Sequence, residues 1–256
     1  MFPLRDENPT VLTPFITIAI ILANVAVWFY VQGAGMSQEV LASSVCQYGA
    51  IPAEVTGSTG GYAGIDLGPG LPTCEFGGFT FEAVLTSMFL HGSWMHLIGN
   101  MWFLWLFGNN VEDSMGHIRY LLFYLIAGVA ATAAHIISDP ASPIPTVGAS
   151  GAISGAMGAY LVLYPHARVY TLFFLFIFIR VIPIAAWFVL LYWFAIQLLS
   201  GWATGPGMTG VAFWAHVGGF VAGVVLVKLF ENRTLVEAHK RHVRPAPGQL
   251  RGGGWW

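Results

Sequence analysis

The sequence predicts an all-α, polytopic membrane fold with six spans, and two observations predict it. Of 256 residues, 56% are hydrophobic and only 9% are charged, against about a quarter charged in soluble domains. A water-soluble fold has no way to hide that much apolar surface. The apolar residues also fall in runs near the length of roughly 20 residues that a bilayer core demands of a helix. The length suits one bundle with short connections, so a single membrane domain over residues 13–230 is expected, between a tail at 1–12 and a basic tail at 231–256.

The first run covers Thr13 to Val31. A cleaved signal peptide is the alternative, but this run exceeds the usual apolar region of about 7–15 residues and its amino end is barely basic. A long loop, residues 32–93, follows. The second span is expected from Trp94 to Val111, the third from Ile118 to Ile137, and the fourth from Val147 to Tyr164. The fifth covers Ala185 to Ser200 and the sixth Val211 to Phe230, before a polar tail that ends in Gly252, Gly253, Gly254, Trp255 and Trp256. Val169 to Ile184 is apolar too, yet Arg180 and Pro183 interrupt it and leave too few residues to cross. We read it as an interfacial segment.

Basic residues set the orientation, because cytoplasmic loops retain Lys and Arg. All ten fall on one side: Arg5, Arg119, Arg168, Arg180, Lys228, Arg233, Lys240, Arg241, Arg244 and Arg251. The opposite loops carry Glu39, Glu54, Asp66, Glu75, Glu82 and Asp139 but no Lys or Arg. Both termini are expected to be cytoplasmic, in a multi-pass protein of a prokaryotic plasma membrane. Cys46 and Cys74 fall together in the first outer loop, where an oxidising compartment permits a bridge; two free thiols are the alternative.

A polar side chain in hydrocarbon is costly and faces a partner or a cavity, so the few inside the spans point to chemistry. The fourth span opens Gly148-Ala149-Ser150-Gly151, with Gly155 and Gly158 continuing a small-residue stripe that admits another backbone. The sixth supplies its counterpart, His216 followed by Gly219 and Gly223 on one face. Both helices start outside and run inward, so Ser150 and His216 share one depth, within about 10 Å of the outer helix ends. A serine and a neutral imidazole pressed together there suggest a nucleophile and its general base. No carboxylate is at hand, since Asp139 is in an outer loop and Glu112 and Asp113 are at the opposite end of the second span. A buried dyad is expected, with packing in place of a third residue.

The second span opens with His91, His96 and Asn100. His96 and Asn100, four apart, share a face and could aim two donors at an oxyanion beside the Ser150 N–H. His91, five before His96, points elsewhere on a helix and is read as structural. Each motif alone has a bland reading: in a chain with 31 glycines a Gly-x-Ser-Gly is usually helix packing. A lone His216 is more often an interhelical hydrogen bonder, and His135 is left in that role. His117, His166, His239 and His242 are expected to be cytoplasmic and solvated.

Together these three motifs resemble the rhomboid intramembrane serine proteases. The likeness is carried by His91-x4-His96-x3-Asn100, Gly148-Ala149-Ser150-Gly151 and Ala215-His216-x2-Gly219-x3-Gly223, in family order, and covers residues 13 to 230. It implies a six-helix rhomboid-like bundle, a nucleophile at Ser150, a base at His216 and oxyanion donors at Asn100 and His96. It also implies cleavage of other proteins' transmembrane segments near the outer surface, with no metal or cofactor. Glu112 falls where the family has a glutamate in a structural hydrogen-bond network. One departure is that many relatives carry a Trp-Arg pair in the first outer loop, where this chain reads Phe79-Thr80-Phe81-Glu82-Ala83.

A transporter also places polar groups and broken helices inside the membrane, but here no Asp, Glu or Arg sits mid-span and the halves show no evident repeat. A metal or haem protein lacks an H-E-x-x-H, and the His91 to His96 spacing separates the two rings. A non-proteolytic relative that binds transmembrane clients is opposed only by the presence of both Ser150 and His216. The expected partners are transmembrane-segment substrates and membrane lipid, with no nucleic acid; no oligomeric state is predicted.

Overall fold

A computed structural model describes the chain except residues 62, 69, 72, 78–80, 176–177, 205–210 and 244–256. Strand β1 (Phe2–Asp6) precedes α1 (Phe15–Tyr30). The long loop folds into α2 (Gln38–Tyr48), α3 (Pro52–Thr56), the small hairpin β2 (Gly64–Asp66) and β3 (Thr73–Glu75), and α4 (Phe81–Thr86). Helix α5 (Trp94–Phe103) runs through a π turn at Leu104–Gly108 into α6 (Asn109–Met115). Then come α7 (His117–Ser138), α8 (Ser150–Leu163), the hairpin of β4 (Arg168–Leu175) and β5 (Phe178–Ala185), α9 (Ala186–Ala203), α10 (Phe213–Phe230) and α11 (Arg233–Arg241).

Helices therefore stand within a few residues of all six expected runs. Three of them, α7, α9 and α10, are by themselves long and apolar enough to cross a membrane, while α1 and α8 are shorter apolar helices. The chain is a polytopic helical membrane protein.

Helix α8 is the axis of the bundle. Its residues from Gly151 to Tyr160 are buried without a break, the pattern of a helix enclosed on every side. Glycine makes this possible. A Cβ on Gly219 would lie 2.0 Å from the Gly151 carbonyl oxygen, and one on Gly223 would lie 1.9 Å from that of Gly155. The α8 and α10 backbones touch, so no larger residue fits between them. On the other flank, a Cβ on Gly151 or Gly155 would meet Ala131 or Ala127 of α7 at 2.6 and 2.5 Å. Aromatic side chains close the far half of the core, with Phe107 edge-on to Tyr160.

Two expectations are corrected. The fold is not wholly α, because Val169 to Ile184 forms an antiparallel hairpin to which β1 adds a third strand, in the order β1-β4-β5. The run is rich in β-branched and aromatic residues, and Pro183 sits on the edge strand, where a missing donor is tolerated. The amino-terminal tail is thus part of the fold: Arg5 covers the Tyr170 ring at 4.2 Å, and the Trp102 indole donates to the Pro3 carbonyl at 2.8 Å. The second correction concerns the carboxyl tail, whose helix α11 docks with Leu235, Ala238 and His239 buried. His239, expected in solvent, is 1% exposed. Gly252 to Trp256, Arg244, Arg251, Phe79 and Thr80 lie outside the described residues.

Candidate active site

The site is built where the chain enters α8. Thr146 exchanges backbone hydrogen bonds with Ala50, and the Gly148 N–H donates to the Ser87 carbonyl at 2.9 Å, which ties this entry to the long loop. Gly148 has φ +126°, a region that favours glycine, and a Cβ there would lie 2.9 Å from the His96 ring. The turn delivers Ser150 as the first residue of α8, so its N–H is among those that a helix leaves without an internal acceptor. A small cavity beside Ser150 is lined by Ser87, Thr132, Thr146, Gly148 and Gly151.

His216, one turn into α10, meets Ser150 across the glycine contact. Its Nε2 is 2.8 Å from Ser150 Oγ. Both residues are partly buried, where a fully buried pair is expected from the sequence. The other ring nitrogen, Nδ1, is 2.7 Å from Oε1 of Gln197 on α9. Packing was expected in place of a third residue; the structure has a polar group there. No spacing in the sequence connects Gln197 to His216, and only the rarity of an amide in an apolar helix could have singled it out.

His96 and Asn100 both stand on α5, and His96 reaches the same turn, its ring beside Gly148. Ser93 caps α5 by accepting from the His96 N–H. The Gly92 N–H donates to His96 Nδ1 at 3.3 Å, so the ring proton sits on Nε2, the side that faces Gly148. Asn100 is buried, and its Nδ2 has no partner among the described residues. The His96 ring thus lies beside Gly148 at the start of α8.

His91 lies before the helix begins, so helical spacing does not apply to it. Its ring meets that of His96 edge to face at 5.0 Å, whereas the sequence placed the two apart. Gln32 grips its backbone on both sides at 2.8 Å. Burial, with His96 close by, pushes the His91 imidazole down to about 3, so it stays neutral. Among the described residues no group of three or more His, Cys, Asp or Glu could hold a metal ion.

Glu112 stands at the opposite end of the bundle from Ser150, at the start of α1. Its fully buried carboxylate accepts from the Ile16 and Thr17 N–H groups at 2.9 and 2.7 Å and from the Thr17 hydroxyl at 2.7 Å, and it pairs with His117 at 2.6 Å. Asp113, beside it, accepts from the Val11 and Leu12 N–H groups. His135 is no satisfied hydrogen bonder, for its buried Nδ1 has no partner among the described residues. Cys46 and Cys74 are bridged, with Cα atoms 5.3 Å apart, and this ties α2 to β3.

A helical membrane bundle that holds a serine and a histidine 2.8 Å apart across a glycine contact defines the class of this protein as a polytopic membrane protein with a polar site between its helices. The model of the Rhomboid domain matches residues 79–233, more than half of the chain, and the chain belongs to the rhomboid family, whose members are generally intramembrane serine proteases. It is 29% identical over 150 residues to Rhomboid protein 1, mitochondrial, of Saccharomyces cerevisiae, covering 56% of this chain and 40% of that protein. It is 44% identical over 78 residues to Rhomboid protease GluP of Bacillus subtilis, covering 30% of this chain and 15% of that protein. Against Rhomboid-like protease 5 of Toxoplasma gondii the identity is 31% over 163 residues, covering 61% and 16%. The chain spans less than half the length of each of these curated relatives. The expected prokaryotic plasma membrane is corrected by the comparisons, because several of the relatives are named as mitochondrial or chloroplastic.

Proposed function

We propose that this rhomboid protein is an intramembrane serine endopeptidase that crosses its membrane six times and cuts the transmembrane segments of other proteins near the face that carries the disulfide loop. The observation that carries the reading is the 2.8 Å contact between Ser150 Oγ and His216 Nε2. His216 takes the hydroxyl proton as Oγ attacks the scissile carbonyl carbon. The oxyanion is received by Asn100 Nδ2, His96 Nε2–H and the Ser150 N–H. Collapse breaks the C–N bond, the leaving amine takes the proton from His216, and water then hydrolyses the acyl-enzyme with His216 again as base.

Depth supports the same reading. Helix α8 has 14 residues, about 21 Å of helix against a hydrocarbon core of about 30 Å. Its first residue therefore lies below the membrane surface, where a substrate helix must unwind to reach it. The unpartnered Asn100 amide supports an oxyanion role, since a buried donor without an acceptor costs about 1–3 kcal/mol unless a ligand fills it.

The test is cleavage of a model transmembrane substrate by purified protein in liposomes, together with labelling by a fluorophosphonate. Ser150→Ala and His216→Ala are each expected to abolish cleavage, and Ser150→Ala to abolish labelling. Asn100→Ala is expected to lower kcat by about 10²–10³. Cleavage by Ser150→Ala at the unchanged rate would overturn the proposal.

A further inference from the structure

We propose that Gln197 is a positioning residue that holds His216 in the tautomer able to act as a base, so that the site is a serine–histidine–glutamine arrangement rather than a bare dyad. The inference rests on the reading of Ser150 and His216 as nucleophile and base, and it deepens that reading.

Helix α9 reads Ala-Trp-Phe-Val-Leu-Leu-Tyr-Trp-Phe-Ala-Ile-Gln over its first twelve residues, and Gln197 brings an amide to a helix that is otherwise apolar along this stretch. It is 8% exposed. An amide there is expensive unless it is hydrogen-bonded, and the bond it makes is with the imidazole, Oε1 to Nδ1 at 2.7 Å.

That bond decides where the imidazole proton sits. An amide oxygen only accepts, so Nδ1 must carry hydrogen, and in the neutral ring Nε2 is then left with its lone pair. Nε2 is the atom 2.8 Å from Ser150 Oγ, and with a free lone pair it can take the hydroxyl proton. The opposite tautomer would donate from Nε2 to the serine oxygen and could not act as a base. Gln197 thus does by hydrogen-bond geometry what a carboxylate does in a triad, without a second buried charge. When the imidazolium forms, the same oxygen accepts a charge-assisted bond from Nδ1–H.

A second contact from the same helix fixes the ring plane. Trp193 is four residues before Gln197, hence on the same face of α9, and its ring lies 5.8 Å from the imidazole at 39°. One face of α9 therefore supplies both the hydrogen bond and the packing that orient His216.

The experiment reads the tautomer directly, with 15N-histidine-labelled full-length protein in lipid nanodiscs. His216→Ala assigns the His216 signals. Three forms are compared: wild type, Gln197→Met, which keeps the length and loses the acceptor, and Gln197→Glu, whose carboxyl keeps an acceptor oxygen. Wild type is expected to show a protonated Nδ1 and a bare Nε2, and Gln197→Met a mixture of tautomers. In parallel, Gln197→Met is expected to lower kcat by about 10–100-fold, with KM within twofold and the melting temperature retained, while Gln197→Glu recovers most of the loss. A proton on Nε2 in wild type, or a Gln197→Met spectrum and kcat equal to wild type, would overturn the inference. Failure of the dyad reading would instead appear as cleavage by Ser150→Ala, and the 15N signals report the Gln197 to His216 bond in either case.

Discussion

His239, on the helix that follows the last apolar run, is hydrogen-bonded through Nδ1 to the carboxylate of Asp113, with both side chains out of solvent. Its Nε2 is 2.7 Å from Asn8 Oδ1. Asp113 in turn accepts from the Leu12 N–H at 2.6 Å, so one histidine links the carboxyl tail, the foot of α6 and the segment that leads into α1.

His239→Ala should therefore destabilise the fold at a distance from the site. Removing one member of a buried pair leaves the other uncompensated, a cost of about 3–5 kcal/mol, less what the two backbone donors to Asp113 still provide. Thermal unfolding in detergent is the measurement, with fluorophosphonate labelling of the folded fraction as a control. An unchanged midpoint would show that α11 is not anchored through this residue.

That contact also shows where the sequence is opaque. The six apolar runs are legible because a bilayer imposes a length and an apolarity that each segment must meet by itself. Ser150, His216, His96 and Asn100 are legible because each is a polar group in an apolar run, beside glycines or capping residues with a local reason to be there. Gln197 is not, because its partner is on another helix at no set spacing. The hairpin of β4 and β5 announced only its interruptions, Arg180 and Pro183, while its third strand comes from Phe2–Asp6 at the far end of the chain. His239 looked solvated because its helix is polar, and only the buried Asp113 gives it a reason to be inside.

The disulfide should matter for the loop rather than for the bundle. Cys46 and Cys74 are 28 residues apart, and Cys74 is fully buried in a small cluster with Ile51 and Ala53. On a chain-entropy account, closing such a loop contributes roughly 3–4 kcal/mol. Cys74→Ser, or reduction of the wild type, is expected to expose β2 and β3 to limited proteolysis while α7 to α10 stay protected. Equal alkylation of the denatured protein with and without reductant would show that no bridge forms.

Asp6 gives the stability a pH dependence. Its carboxyl accepts from the Tyr160 hydroxyl at 2.6 Å and from the Asn110 amide at 2.9 Å. Burial dominates these bonds and raises it from 3.8 to about 6. A carboxyl raised on folding binds more protons in the folded state, so its stabilising contribution is complete below about pH 4 and is lost as pH rises through 6. The loss is on the order of 2–3 kcal/mol. Melting temperature should fall between pH 4 and 6 in the wild type, and Asp6→Asn should flatten that fall. A slope that persists in Asp6→Asn would assign it to another group.

The glycine contact between α8 and α10 yields the sharpest contrast. At Gly223 an added methyl would overlap the Gly155 carbonyl oxygen at 1.9 Å, and a backbone carbonyl has no rotamer by which to yield. The helices must separate, which costs the overpacking penalty of about 1–3 kcal/mol or more and the close contacts along the seam. His216 is seven residues up the same helix, about 10 Å away, so the separation also pulls Nε2 from Ser150. Gly223→Ala should lose fluorophosphonate labelling even in protein that remains folded. Gly99 on α5 is the control, since a Cβ there meets nothing within 4 Å. Gly99→Ala should leave the stability equal or higher, by up to about 1 kcal/mol of helix propensity, read as an unchanged or raised melting temperature. If both substitutions behaved alike, the seam would not be held by backbone contact, and the alignment of His216 with Ser150 would need another cause.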